Sequence, residues 1–374
     1  MTGEYASTLA AVLRDRTLPS ATLARDPAAF VRACREDDLT GLVYDVVRKE
    51  NRGGDWVRSV RGALAAEARA HAAEELLRRR ELMTVLAALT VAGIQPIVIK
   101  GMALAYSLYA VPAARRCRDT DLLVHRNELT AVRDTLARLG YGPAHQCEGE
   151  LLFYQVALKK TDSFGFVHTL DVHWKISTQS LFAGLLTLDE IAAGATPLPA
   201  LGSHAKGPGP LHALLLACVH PIMHHRQAQS LVWVYDVHLL ASRLSASQFD
   251  QFAALALDKQ VAAVCAHQLN RTARLMGTQI PDGLLQRLDA AGTSEASAAY
   301  LRPDRRWRDE LMWNLQGLSS WRERARLLRE VTFPSARYML QAYRVASPAG
   351  VALLPALYLH RLAAGSWKVI TGRK

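Results

Sequence analysis

Arg115-Arg116-Cys117-Arg118-Asp119-Thr120-Asp121-Leu122-Leu123-Val124 places two carboxylates two residues apart, where a basic loop runs into a short apolar strand. Side chains at i and i+2 of a strand share a face, so Asp119 and Asp121 are expected to aim at one point. Two like charges that close repel, and burial strengthens the repulsion. A divalent cation between them removes the conflict, and hard carboxylate oxygens suit Mg²⁺. A third acid, Asp171, stands in the apolar, strand-like run Thr169-Leu170-Asp171-Val172-His173-Trp174. A lone aspartate there is unfavourable unless it is paired or metal-bound. Three acids on adjacent strands could hold two Mg²⁺ ions against the phosphates of a nucleoside triphosphate, activating a hydroxyl and stabilising departing pyrophosphate. Asp171 then suits a ligand of the first ion and a base for the hydroxyl. The other role open to it is an ion pair with one of the arginines.

The turn Lys100-Gly101 follows an apolar run and opens a helical one. Glycine lets a ligand approach the backbone, and a helix N-terminus offers free N–H groups to phosphate. Lys100 adds a point charge. Arg115, Arg116 and Arg118 crowd the acids from the other side, and one of them could clamp a triphosphate by forked hydrogen bonds. His173 shares a strand face with Asp171, which suits it to a phosphate, to the acceptor, or to a supporting hydrogen bond. His220 and His224 have helical i, i+4 spacing, but positions 221 and 222 are Pro and Ile, so the HExxH zinc pattern is absent. With neighbouring His225 they read as structural or acceptor-pocket groups. Asp236, after Trp233, could cap a helix or pair with Arg226.

These groups need a frame. Residues 1 to 90 read as helical, rich in Ala, Leu, Arg and Glu, with no Pro or Gly inside Gly62 to Leu89. The β-branched run Ile94 to Ile99 predicts a buried strand, and Met102 to Tyr109 a helix ending before Pro112. Asp119 to Val124 is the second strand. Asn127 reads as the N-cap of a helix over Glu128 to Leu139, with Gly140 as its stop. Leu151 to Leu158 and Phe166 to Trp174 form a hairpin joined by Lys159 to Gly165. Residues 91–180 are thus a small α+β unit. Residues from about 185 to 208 are rich in Gly, Ala and Pro and predict a loop or exposed crossing. Helices over Leu211 to His225, Leu231 to Leu244 and Ala246 to Leu275 follow, making 181–374 a helical region.

The chain has 374 residues, half of them hydrophobic, and a net charge of +11. That charge suits an anionic partner without choosing among nucleotide, nucleic acid and acidic membrane. Basic residues lack interleaved aromatics over a defined patch, so nucleic acid is not favoured. Cys34, Cys117, Cys147, Cys218 and Cys265 are scattered and odd in number, which argues against a disulfide framework or thiolate zinc site and fits a reducing cytoplasm. No signal-peptide profile opens the chain, and no uncharged run reaches the roughly 20 residues that span a bilayer. The basic end, Lys368, Arg373 and Lys374, reads as a solvated tail.

The stretches Ile99-Lys100-Gly101-Met102-Ala103-Leu104, Tyr109, Arg115, Asp119-Thr120-Asp121-Leu122-Leu123-Val124, Leu139-Gly140-Tyr141 and Leu170-Asp171-Val172-His173-Trp174 resemble the uncharacterised nucleotidyltransferase family of bacteria. That family lies within the DNA polymerase β-like nucleotidyltransferase superfamily. His220, His224, Trp233 to Asp236, Phe333-Pro334-Ser335 and Tyr358 to Arg361 resemble its helical parts, so the similarity spans roughly residues 80 to 365. The resemblance implies a minimal mixed sheet flanked by helices, Mg²⁺ dependence and transfer of a nucleotide from NTP. It makes Asp119, Asp121 and Asp171 the metal carboxylates and the catalytic set, and the residue chemistry above puts Lys100, Gly101, Arg115, Arg118 and His173 on the nucleotide. The superfamily's usual Gly-Ser turn is replaced here by Lys100-Gly101-Met102.

The leading expectation is therefore an Mg²⁺-dependent nucleotidyltransferase moving NMP to a hydroxyl of a small molecule, peptide or protein. RNA as acceptor, on the strength of the charge, is one alternative. A nucleotide-binding scaffold without turnover, on the strength of the altered turn, is another.

Overall fold

The computed structural model describes residues 3–23, 25–50, 54–144, 154–224, 230–345 and 349–371. Five helices precede the sheet: α1 (Gly3–Asp15), α2 (Ser20–Leu23), α3 (Pro27–Glu36), α4 (Thr40–Val47) and the 38-residue α5 (Gly54–Val91). The sheet unit follows as β1 (Ile97–Ile99), α6 (Lys100–Leu108), β2 (Thr120–Leu123), α7 (Leu129–Arg138), β3 (Gly142–Pro143), β4 (Gln155–Thr161) and β5 (Val167–His173). The strands form one mixed sheet in the order β1-β2-β5-β4-β3, with β2 and β5 parallel and the other pairs antiparallel. This is an α+β fold with helical flanks, as the sequence implied.

The strand alternation decides which side chains meet. Val98, Leu122, Leu170 and Val172 turn to one face and pack with Leu82, Val85, Leu86 and Leu89 of α5 and with Val132 and Leu136 of α7. Ile97, Ile99 and Leu123 turn to the other and join the core of the C-terminal helices. Each fully buried aliphatic contributes about 1.5–3 kcal/mol, so both faces are firmly held. Asp121, Asp171 and His173 have the parity of Ile99 and Leu123. They therefore face the C-terminal half.

Several boundaries differ from expectation. Asp119 stands just before β2 rather than inside it. The hairpin strand expected from Leu151 begins at Gln155 among the described residues, and Leu151, Leu152 and Phe153 lie outside them. It also runs on through Lys159 and Lys160, because Asp162 closes a tighter turn by accepting the N–H groups of Phe164 and Phe166. Asn127 lies inside the 3-10 turn Arg126–Glu128 and is not the N-cap of α7, which is Glu128; the Glu128 carboxylate accepts the His125 N–H. Gly140, at φ 90°, ends this helical segment as expected.

Downstream lie α8 (Ser180–Ala183), α9 (Leu188–Ala193), β6 (Thr196–Pro197), β7 (Lys206–Gly207), α10 (Pro210–His224), α11 (Leu231–Ala241), α12 (Ala246–Asp258), α13 (Ala262–Met276) and α14 (Leu284–Gly292). The Gly- and Pro-rich stretch is thus no plain loop. It carries a two-strand ladder of its own. The long helix expected over Ala246 to Leu275 breaks at Gln260, whose φ of 54° is left-handed. No Gly or Pro marks that break. The chain ends in α15 (Trp307–Gln316), α16 (Trp321–Thr332), α17 (Ala336–Ala342) and α18 (Leu354–Thr371). Among the described residues no helix is long and apolar enough to cross a membrane. The start of α11 (Leu231, Val232, Val234, Tyr235) packs among α1, α3, α4 and the first part of α5, so the N-terminal and C-terminal helices share a core.

Candidate active site

A cleft of about 610 Å³ opens between the sheet, α10, α11 and the turn after α3. Its polar end is built from β2, β5 and the first turn of α6. Asp121 and Asp171 are register partners across the parallel β2–β5 pair. The ligand atoms of Asp121, Asp171 and His173 lie within 4.8 Å of one another, a group able to hold a metal ion. Lys100 Nζ donates to Asp121 Oδ1 at 2.7 Å, and His173 Nε2 donates to the same oxygen at 2.8 Å. Gln155, on β4, donates to Asp171 Oδ2 at 3.1 Å.

The charges are unevenly settled. Burial works against ionisation of Asp121, but Lys100 and His173 outweigh it and hold its carboxyl below the usual range. At Asp171 the help of Lys100 and Gln155 is outweighed. Burial first, then the charges of Asp121 and Asp119, push it up to about 7. Asp119 is raised as well, by burial and then by Asp121. His173 is lowered, by burial and then by Lys100. The site thus carries more negative charge than its one ammonium neutralises. Hard oxygens under mutual repulsion are the donor set that a divalent cation relieves, so the residues fit the ion.

Lys100 adopts φ 54°, a left-handed conformation that a side chain disfavours by about 1–2 kcal/mol. Its bond to Asp121 holds it there. Such strain gathers where a side chain must be aimed. The glycine beside it has a different job. A Cβ on Gly101 would lie 2.9 Å from Arg115 Nη1 and 3.2 Å from Cys117 Sγ, so Gly101 lets the basic loop pack against the first turn of α6. That turn has no side-chain cap on its N–H groups.

The two arginines expected on the nucleotide are already engaged. Arg115 is buried and pairs with Asp236 of α11, Nη2 to Oδ2 at 2.8 Å, while Tyr109 donates to Asp236 Oδ1 at 2.6 Å. Arg118 is exposed and donates to Asp38 at 2.9 Å, and Arg116 reaches the same carboxylate at 3.4 Å. Both Arg115 and Arg118 still line the cleft. Arg226, the partner expected for Asp236, lies outside the described residues, as do His225 and Cys147, and nothing is described of the His224 side chain. Asp119 lines the cleft but is not in the three-ligand group, where His173 stands in its place. His220 lines the cleft edge-on to Trp233 at 5.5 Å between ring centroids.

A family model described as "Uncharacterised nucleotidyltransferase" matches residues 24–292. The chain belongs to that family. It is a transferase of the nucleotidyltransferase class, and the Asp-Asp-His group is its possible metal site. The match begins upstream of residue 80 and stops before Phe333-Pro334-Ser335 and Tyr358 to Arg361, which therefore lie outside it. Among solved structures, the one titled "Crystal structure of JHP933 from Helicobacter pylori" is similar at 11% identity with a TM-score of 0.31, covering 61% of this chain and 93% of that one. No protein of curated function matches the sequence.

Three residues that bear on the site escaped sequence reasoning. Gln155 was invisible because only the β4–β5 register brings it to Asp171. Asp38 follows α3, far from the loop it anchors. Arg78 of α5 is buried, stands 5.3 Å from the Phe166 ring, and its charge acts on Asp119. A lone arginine inside a long helix carries no signal of that.

Proposed function

We propose that the protein is an Mg²⁺-dependent nucleotidyltransferase that moves NMP from an NTP to a hydroxyl of an acceptor, a small molecule, peptide or protein, and releases pyrophosphate. The observation that carries this reading is the over-acidic group of Asp119, Asp121 and Asp171 facing the first turn of α6 in one cleft. Asp119, Asp121 and Asp171 would hold the metal, two ions in this reading. Bound there, it supplies charge stabilisation at the phosphates and the leaving pyrophosphate.

The chain's own groups do the rest. Lys100 and the uncapped N–H groups of α6 receive the polyphosphate. Lys100 thereby takes the part of the serine in the superfamily's usual turn. His173 fixes the orientation of Asp121 through its Nε2–H. Asp171, held by Gln155 and raised to about 7, accepts the proton of the attacking hydroxyl. The apolar wall of Leu104, Leu216, Val232 and Trp233 excludes water from the far end of the cleft. NTP supply places such an enzyme in the cytoplasm.

The test is pyrophosphate release from NTP in the presence of Mg²⁺ and lysate small molecules and proteins, with products screened for a one-nucleotide gain in mass. Asp121→Asn should lower release by at least about a thousandfold, the loss of several kcal/mol of charge stabilisation. Equal release by that variant and its parent would end this reading.

A further inference from the structure

Residues 293–374, beyond the family match, carry fourteen Lys and Arg against six Asp and Glu, a net of +8 out of the chain's +11. The rest of the molecule is close to electrically balanced. Among its described residues the same segment holds eight exposed large hydrophobics, including Trp307, Met312, Trp321, Leu328 and Phe333. An apolar surface of that kind on a soluble domain calls for a partner.

Helix α16 shows how the two features are arranged. Its inner side is Leu327, 3% exposed, flanked by half-buried Glu323 and Glu330. Both glutamates act on Tyr154, and Glu323 also on Lys175. That orientation turns Trp321, Ala325 and Leu328, spaced i, i+4, i+7, outward on a single stripe. Trp321 is 73% exposed and Leu328 44%, and Phe333 continues the apolar surface at 52%. Arg322 and Arg329 flank the stripe on one side and Arg324 on the other. Arg322 lies 5.8 Å from the Trp321 ring, and Arg324 is fastened to the Leu318 carbonyl at 3.0 Å.

We propose that this face of α16, with the basic segment around it, docks the enzyme on an anionic lipid surface. An outward Trp/Leu stripe bordered by arginines is the arrangement of a helix lying in a membrane interface. Tryptophan prefers that depth, and arginine stems reach from it to headgroup phosphates. Each basic residue near an anionic surface strengthens the hold about fivefold. Two other occupants fit less well. A second copy meeting this face isologously would set arginine against arginine. Nucleic acid leaves aliphatic Leu328 without a matching surface.

The experiment uses the full chain and sedimentation with large vesicles, of phosphatidylcholine alone or mixed with an equal part of phosphatidylglycerol. Binding to the mixed vesicles only is expected, weakened by salt. Arg322→Gln with Arg329→Gln should lower partitioning about twentyfold. Trp321→Ser with Leu328→Ser should abolish it, while circular dichroism and pyrophosphate release stay unchanged, since none of these side chains lies in the catalytic cleft. Equal sedimentation with both vesicle types, or no effect of either variant, overturns the proposal. So does a dimer in solution that the Trp321/Leu328 variant dissociates, or retention of an RNA probe that only the arginine variant loses. These readouts do not depend on turnover, so a failure of the nucleotidyl-transfer reading would leave them interpretable.

Discussion

Asp236 and Asp171 are aspartates in the wall of one cleft, and they have opposite fates. Asp236 is 2% exposed and fully matched, by Arg115 on both oxygens and Tyr109 on Oδ1. Asp171 has a neutral amide donor and two acidic neighbours, and its carboxyl rises to about 7. Burial is common to both. What differs is the partner. A buried charge with a bidentate cation is part of the scaffold, whereas one left beside like charges stays unsatisfied within the fold. The first group joins α11 to the loop before β2. The second lies across β2 and β5 at the polar end of the cleft.

The largest effect should come from breaking the matched pair. Arg115→Ala leaves Asp236 buried and unneutralised, a loss of about 3–5 kcal/mol, read as a lowered midpoint in urea unfolding. Arg115→Ala with Asp236→Ala should recover part of that loss, since the uncompensated charge is then gone. If the double variant is as unstable as the sum of the singles, the pair does not act as a unit.

The unmatched acid is sharpened by pH. Asp171 has a folded pKa raised above its unfolded value, so its contribution to stability is present below about 4 and is lost as pH rises towards about 7. The metal-free protein should therefore lose stability between those values, and Asp171→Asn should remove that part of the loss in thermal melts. Divalent-ion affinity should run the other way. It falls by up to about tenfold per pH unit below 7, because a proton on Asp171 competes; calorimetric titration with Mn²⁺ across that range would show it. A flat affinity profile would mean that Asp171 is not a ligand.

The smallest effect belongs to the third arginine contact. Arg118 meets Asp38 at 2.9 Å but is 68% exposed. Arg118→Gln should change stability by no more than about 0.5 kcal/mol. A clear rise in KM for NTP at that small stability change would assign Arg118 to the nucleotide. Unchanged kinetics would leave it as a surface tie between the loop and the turn after α3.

The common face of 171 and 173 was legible because a strand's period is two residues, whereas the β2–β5 register is what brings Asp121 beside Asp171. Local composition carried the Lys100-Gly101 turn, the helical flanks and the stop at Gly140. The partner of Arg115 was not legible, since Asp236 is 121 residues away and a charge advertises no address. Nor was the break at Gln260, where packing of α12 and α13 imposes a backbone angle the residue does not itself prefer.

Residue types and their periodicities thus determined the chemistry on offer: carboxylates on adjoining strands, a lysine at a helix start, arginines in the loop between. Tertiary structure alone decided which of these charges are cancelled and which are left over. Cancellation depends on distances between segments far apart in the chain, and no local preference encodes them.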